Sequence, residues 1–122
     1  MKATVGIETF EEMQRRKLAR ARLLDKGVRI EPEKRITFER PEEMLACLTP
    51  RRLHLLRAAR RKPQSVSELA ASVARNRTAV QRDIGVLNQA GLVTLSKRTN
   101  PGHGQVQIVK AGAARFTLTT KI

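Results

Sequence analysis

The stretch from Ser65 to Leu92, SVSELAASVARNRTAVQRDIGVLNQAGL, limits the possible folds of this chain more than any other. Its first half predicts a short amphipathic helix. Ser65 and Glu68 have the spacing of a capping box, in which each side chain bonds a backbone amide of the other residue. The apolar positions follow the i, i+3, i+4, i+7 spacing of a helix buried along one side. They are Val66, Leu69, Ala70 and Val73.

The second half predicts another helix, over about residues 77–90. Asn76 is a preferred N-cap residue, and Gly91 most easily adopts the left-handed conformation that ends a helix. Three apolar residues, Val80, Ile84 and Leu87, form its buried side. Two short helices joined by a tight turn indicate a helix-turn-helix, with this second helix as the recognition helix.

The second helix leaves a polar and largely basic surface outside. An α-helix fits the DNA major groove, where Arg bonds guanine and Gln bonds adenine through paired hydrogen bonds. Arg77 and Gln81 are therefore the first candidates for reading bases, whereas Asp83 is expected to pair with an Arg of a neighbouring helix. Further candidates, which suit phosphate equally well, are Arg75, Thr78 and Arg82.

The position of the basic residues supports the same interpretation. The chain has 122 residues and a net charge of +14, which suits one domain with an appendage. Residues 49–110 hold twelve basic and two acidic side chains, so most of the excess surrounds the helix pair. A polyanion is the natural partner of such a segment. The alternative left open is a solvated face that only keeps the protein soluble.

After Gly91 the apolar period changes from that of a helix to that of a strand. Two alternating segments flank a loop rich in Pro and Gly, which predicts a β-hairpin. A hairpin that follows a helix-turn-helix is a wing, here over residues 96–105. Lys97, Arg98 and His103 are expected near its tip, over the adjacent DNA backbone or minor groove. The predicted fold class is α+β, a winged helix-turn-helix with an N-terminal helical extension.

The rest of the chain divides into an extension, residues 1–33, and the winged domain, residues 34–122. In the extension, residues 2–7 could form a strand, and Thr9 with Glu12 opens a basic helix to about Asp25. Three roles remain open for that helix: packing on its own domain, pairing in a dimer, or gripping a partner or DNA backbone. Strands predicted at residues 35–39 and 115–121 need to pair with each other or with a second subunit, which suggests a homodimer.

The segment from Phe38 to Val93 resembles winged-helix regulators related to the arsenical-repressor and multiple-antibiotic-resistance-repressor superfamily. Within that group it is most similar to small regulators found in some toxin–antitoxin pairs. The resemblance rests on the strand residues Phe38 and Glu39, the LTPR segment that begins at Leu48, and the SVSELA segment that begins at Ser65. It implies a regulator of transcription that binds double-stranded DNA, and of the two signs of regulation repression is the one expected. The alternative is an antitoxin that binds a cognate toxin through its N-terminal region and regulates its own operon.

Other classes of function find little support in the sequence. One cysteine and two distant histidines give no metal site, no disulfide and no metal sensor. No pattern indicates catalysis or a bound cofactor, so we do not expect an enzyme. Three Phe with no Trp or Tyr count against base stacking on single strands. No apolar run approaches the roughly 20 residues of a membrane span, and a reducing cytoplasm is the expected location.

Overall fold

The computed structural model of the chain describes residues 1–102, 104–120 and 122. Its contacts divide it into two compact units. We call residues 1–45 with 115–122 the sheet unit, and residues 46–114 the hairpin unit. The elements follow in the order β1 (Lys2–Ile7), α1 (Phe10–Asp25), β2 (Glu33–Phe38), α2 (Pro41–Cys47), α3 (Pro50–Arg61), β3 (Gln64–Ser65), α4 (Val66–Ser72), α5 (Arg77–Gln89), β4 (Val93–Asn100), β5 (Gly104–Ala111) and β6 (Arg115–Leu118).

The sheet unit contains a three-stranded parallel sheet in the order β2-β1-β6. In its register Val5 lies between Ile36 and Leu118, which places apolar side chains on one face. The two predicted strands at residues 35–39 and 115–121 therefore do not meet each other, because β1 lies between them. The predicted pairing of these strands with each other was wrong, whereas their pairing with a second subunit stays a prediction. The division of the chain also differs from the expected boundary after residue 33, since β2 and β6 both belong with β1.

Helix α1 begins as the sequence predicts but buries nothing. The hydroxyl of Thr9 accepts a hydrogen bond from the backbone amide of Glu12 at 3.1 Å. None of the residues of α1, all of which the structure describes, is buried. Phe10, Leu18 and Leu24 are each more than half exposed. The first role considered for this helix, packing its apolar side on its own domain, therefore receives no support.

The first complete helix of the hairpin unit, α3, has a capping residue and a proline at its start. The hydroxyl of Thr49 accepts a hydrogen bond from the amide of Arg52, and Pro50 occupies the first helical position, where no amide hydrogen is needed. Leu55, Leu56, Ala58 and Ala59 are buried. His54 of the same helix is exposed.

Helices α4 and α5 are the predicted pair. Ser65 and Glu68 form the capping box in full, with hydrogen bonds of 3.2 and 3.1 Å. The core between the helices is aliphatic, because Leu69, Val80 and Leu87 are completely buried and together remove large apolar surfaces from water. Gly91 ends α5 with a φ of 84°, a left-handed conformation that suits glycine.

Strands β4 and β5 form an antiparallel hairpin, and β3 pairs with β5 on its other side. The hairpin is longer than expected, since its strands reach Asn100 and Gly104 and leave only a short turn between them. β4 follows α5 through Gly91 and the buried Leu92. This order of three helices, a short strand and a hairpin is a winged helix-turn-helix, as the sequence predicts.

Candidate nucleic-acid interface

Helix α5 is fixed at its start and along its buried side. The side-chain oxygen of Asn76 accepts hydrogen bonds from the amides of Thr78 and Ala79, at 2.8 and 3.4 Å. The predicted N-cap is therefore confirmed. Val80, Ile84 and Leu87 are buried at the spacing of one helical side. The opposite side of α5 is consequently held in a defined position at the surface.

Four of the predicted site residues lie together on that opposite side. Arg77, Thr78, Gln81 and Arg82 are all exposed within the first two turns of α5. Residues at i and i+4 are neighbours on a helix, so Arg77 lies beside Gln81 and Thr78 beside Arg82. Gly85, one turn beyond Gln81, is also exposed and leaves the helix backbone uncovered there. The arrangement presents guanidinium and amide groups without an acidic neighbour on the same face.

The single acidic residue of α5 points the other way and is neutralised. Oδ1 of Asp83 accepts a 3.0 Å hydrogen bond from Nε of Arg52, and Oδ2 accepts one of 2.7 Å from Nη2 of Arg75. The expected pairing of Asp83 with an arginine of a neighbouring helix is confirmed, since Arg52 belongs to α3. Burial raises the pKa of Asp83, but the hydrogen bonds from Arg75 and Arg52 outweigh it and lower that pKa below its ordinary value.

Arg52 also connects this ion pair to the preceding helix. Its Nη1 donates to the carbonyl oxygens of Ala46 and Cys47, at 2.9 and 3.1 Å. These carbonyls lie at the end of α2, where backbone acceptors lack partners within the helix. One guanidinium therefore joins the end of α2, α3 and α5. This network holds the orientation of α5.

Arg75, which the sequence placed among the DNA-contacting residues, is part of this network. Its side chain is 18% exposed and is bound to Asp83. Its Nη1 is buried and has no hydrogen-bond partner among the described residues. The structure directs the Arg75 side chain to Asp83 and away from open solvent. A contact between Arg75 and DNA stays a prediction. The pattern of the sequence showed a basic residue before the helix but not where its side chain would point.

The hairpin carries two further predicted residues. Lys97 and Arg98 are exposed, but they lie within β4, opposite Gln107 and Val106, rather than in the loop where the sequence placed them. As consecutive strand residues they point to opposite faces of the hairpin. His103, the third residue expected at the tip, lies outside the described residues.

A groove connects the hairpin with the start of α5. It has a volume of about 350 Å³. Residues 65–67 line it from the start of α4, Arg77 and Gln81 from α5, and residues 105–107 from β5. Neither Gln105 nor Gln107 was predicted as a site residue from the sequence. The groove extends the polar surface of α5 onto the hairpin.

Glu68, the other acidic residue near the helix pair, is also held in hydrogen bonds within the protein. The backbone and side-chain hydrogen bonds from Ser65 lower the pKa of Glu68 from its ordinary value. Glu68 therefore remains ionised as part of the α4 cap. The two carboxylates of residues 49–110 thus serve structural contacts, while Arg77, Arg82, Lys97 and Arg98 remain exposed.

Over residues 1–102, 104–120 and 122, no group of three or more His, Cys, Asp or Glu side chains could hold a metal ion. Across the same residues, no helix has both the length and the apolar character that crossing a membrane would require.

Comparison with known proteins gives a family and a fold. A protein-family model described as HVO_A0114 matches residues 47–109, just over half of the chain and nearly all of the hairpin unit. No curated protein matches the chain.

Solved structures that are similar to this chain include the following three. One is described as a possible transcriptional regulator from Methanosarcina mazei Go1, at 22% identity and a TM-score of 0.51, over 59% of this chain and 65% of that chain. The second is a homodimeric winged helix-turn-helix DNA-binding domain from Mycobacterium bovis, described as a possible ArsR-family regulator, at 22% identity, over 59% and 60% of the two chains, with a TM-score of 0.48. The third is reduced HlyU from Vibrio cholerae, at 19% identity, over 83% and 81%, also at 0.48.

At these identities the likenesses concern the fold alone. The fold comparison rests on the archaeal structure, because the TM-scores of the other two are below 0.5. This chain spans 65% of the length of that archaeal chain, slightly under two thirds. The region in common is a winged helix-turn-helix.

Proposed function

The chain belongs to the HVO_A0114 family, and from its fold and surface we propose that it is a sequence-specific regulator of transcription that binds double-stranded DNA. One observation carries the proposal. Arg77, Thr78, Gln81 and Arg82 are exposed together on α5, a helix whose opposite side is anchored in the core and whose only acid is neutralised.

In this proposal α5 is the recognition helix and enters the major groove. Side chains near the N-terminus of such a helix reach the base edges. Arg77 would bond guanine and Gln81 adenine, each through two hydrogen bonds that the wrong base cannot complete. Thr78 and Arg82 lie on the neighbouring strip of the helix and would bond phosphates. Bases would then be read from the first two turns, with α3 and α4 behind them.

The hairpin would supply contacts outside the major groove. Lys97 and Arg98 are exposed cations on opposite faces of β4. If the hairpin lies along the duplex, they would contact the backbone or minor groove from its two sides. Gln105 and Gln107 would add neutral hydrogen bonds along the groove that leads from α5 to the hairpin. Cations on the hairpin would raise affinity for any duplex, whereas α5 would select the sequence.

We further propose that the protein acts as a homodimer and a repressor. One recognition helix of this length reads only a few base pairs, so specific binding calls for two half-sites about 34 Å apart. A dimer bound across a promoter would exclude polymerase from it. Analytical ultracentrifugation with and without duplex tests the dimer, and a reporter gene behind the selected site tests the sign of regulation.

Selection of bound sequences from a random duplex pool is the experiment that tests the proposal. We expect an inverted repeat, bound with a dissociation constant below about 1 µM at physiological salt, with affinity that falls steeply as salt rises. A flat response to salt, or no enrichment over random duplex, would contradict a specific regulator. The same selection with Arg77→Gln should enrich a different sequence. Its matched control is Arg57→Gln, since Arg57 is an exposed arginine of α3 and its replacement changes the net charge equally.

A second candidate function is suggested by α1. Phe10, Leu18 and Leu24 are 56%, 53% and 54% exposed, and the same helix carries five basic residues between positions 15 and 22. Large apolar side chains left in water together on one helix are typical of a surface that binds another protein. The positive charge of the helix suits an acidic partner. We propose that this surface is where an antitoxin of this kind would bind and neutralise a cognate toxin.

Surface variants test this second candidate better than removal of the N-terminal region, because deletion would also remove β1. Leu18→Ser with Leu24→Ser should abolish capture of the product of the neighbouring reading frame and the rescue of growth from it. Leu45→Ser is the control, since Leu45 is 64% exposed on a different helix. Equal capture by both variants would exclude α1 as the partner surface.

A further inference from the structure

The helix that connects β1 and β2 has its polar side toward the sheet, contrary to the usual packing of such helices. A helix that crosses between parallel strands normally covers the sheet with its apolar side. In α1 the half-buried residues are Met13, Arg16 and Arg20, while the remaining positions are exposed. Two guanidinium groups therefore occupy positions where a leucine would be expected. The space between helix and sheet is suited to something charged.

The strand beside this space is also polar. In β2 the buried residue is Ile36, and Glu33 and Arg35, which lie on the other face of the strand, are exposed. The register places Thr4 beside Arg35. The hydroxyl of Thr4 donates a hydrogen bond to the carboxylate of Glu33. The face contributes hydrogen-bonding groups and one further cation.

Helix and strand flank an open cavity of about 370 Å³, lined by Arg16, Lys17, Arg20, Glu33 and Arg35. This volume lies in the range of small-molecule sites. Four of the five lining residues are cations. The fifth, Glu33, is an acid, so every side chain known to line the cavity ends in a charged group.

The carboxylates nearby do not balance these cations. Nε and Nη2 of Arg16 donate to Glu8, at 2.8 and 2.9 Å, which uses one side of the guanidinium. Arg35 lies 3.7 Å from Glu33 across a more open contact. Arg20 has one long hydrogen bond, of 3.4 Å, to the carbonyl oxygen of Glu31. With Glu8 and Glu33 set against four cations, the cavity keeps an excess of about two positive charges.

We propose that this cavity, between α1 and β2, binds a phosphate group. A phosphate matches an excess of two positive charges, and its tetrahedral oxygens accept the forked hydrogen bonds of arginine. The phosphate could belong to a free phosphorylated small molecule or to a nucleic-acid backbone. Arg16 is held in place by Glu8 and orients the site, whereas Lys17 and Arg20 are freer to close on the ligand. The site is separate from α5 and does not depend on the proposed reading of DNA.

Titration of the full chain with inorganic pyrophosphate, followed by calorimetry, tests this site. We expect saturable binding that weakens by about ten-fold or more in Lys17→Gln with Arg20→Gln. The matched control is Arg15→Gln with Arg22→Gln, because both are exposed arginines of α1 outside the cavity. The control should change affinity less than about two-fold, since it removes the same net charge. Absence of saturable heat, or equal weakening in both double variants, would overturn the proposal.

A second arm identifies the source of the phosphate. Both double variants are titrated with a duplex of random sequence, in the background of Arg77→Ala. A loss of duplex affinity confined to Lys17→Gln with Arg20→Gln assigns the site to the nucleic-acid backbone. Equal duplex affinities, together with selective loss of pyrophosphate binding, assign it to a free phosphate. If the chain binds no duplex at all, the DNA proposal fails while the pyrophosphate result still decides this site.

Discussion

The carboxylate of Asp83 accepts a 2.7 Å hydrogen bond from Nη2 of Arg75, so α5 is tied to the turn that leads into it. The other carboxylate oxygen is held by Arg52, on the helix behind. The acidic side chain of a helix proposed to face DNA is therefore directed away from phosphate. Arg52 and Arg75 hold α5 in position through this contact.

Removing the carboxylate charge of Asp83 should destabilise the protein. Asp83→Asn leaves Arg52 and Arg75 near each other without their shared partner, and we expect a loss of about 2 kcal/mol in the free energy of unfolding. Urea denaturation measures it. Glu43→Gln is the control, because the Arg40–Glu43 pair is largely exposed and its loss should fall within experimental error. Equal effects of the two variants would show that the network has no special importance.

The stability of the protein should fall in acid, and Asp83 should account for part of the fall. Its pKa is lower in the folded state than in the unfolded chain. Its contribution is therefore complete above the unfolded pKa, about 3.9, and is lost as the pH falls through the folded value. Denaturation series between pH 7 and pH 3 should show a smaller decline for Asp83→Asn than for the wild type. Parallel declines would contradict this assignment.

Substitutions in α5 should change the sequence preference of DNA binding, whereas substitutions in the hairpin should change its overall affinity. Arg77→Ala and Gln81→Ala should each reduce the preference for the selected site by about 1–3 kcal/mol at one base pair, because they remove base contacts. Arg98→Ala should weaken binding to all sequences alike and lower the salt slope by about one. Titrations against the selected and scrambled duplexes at several salt concentrations distinguish the two. The reverse pattern would mean that another face reads the bases.

Gly85→Ala should stabilise the fold and weaken DNA binding. Gly85 lies inside α5 with nothing near the position of an added Cβ, so alanine should gain about 1 kcal/mol of helix stability. The same methyl group would project from the face that carries Gln81 and keep the helix backbone away from DNA. Thermal unfolding and duplex titration measure the two effects. A more stable variant with unchanged affinity would show that no close approach occurs there.

The helix pair could be predicted because its signals are local. Ser65, Asn76 and Gly91 each act on backbone groups a few residues away, and the apolar period sets the buried side without reference to the rest of the chain. The same holds for Thr49 and Pro50 at the start of α3. The structure confirms each of these starts and stops.

The errors concern partners that are distant in sequence. Nothing near residue 115 indicates that β6 pairs with β1, more than a hundred residues earlier, so its pairing with the strand at residues 35–39 was predicted instead. The direction of the Arg75 side chain depends on Asp83 and on burial by other elements. Lys97 and Arg98 were placed in a loop because turn residues after them obscured how far the strand continues. Charge could be located from sequence, but not the partner that neutralises it.

The central position of β1 has a consequence for synthesis of the chain. All of the hairpin unit, residues 46–114, leaves the ribosome before β6 does, whereas the sheet unit needs residues from both sides of it. Domains generally fold as units while the chain is made. The hairpin unit of a nascent chain can therefore be complete while β1 still lacks its second neighbour. Pairing of β1 with β6 comes only after all of residues 46–114 have been made.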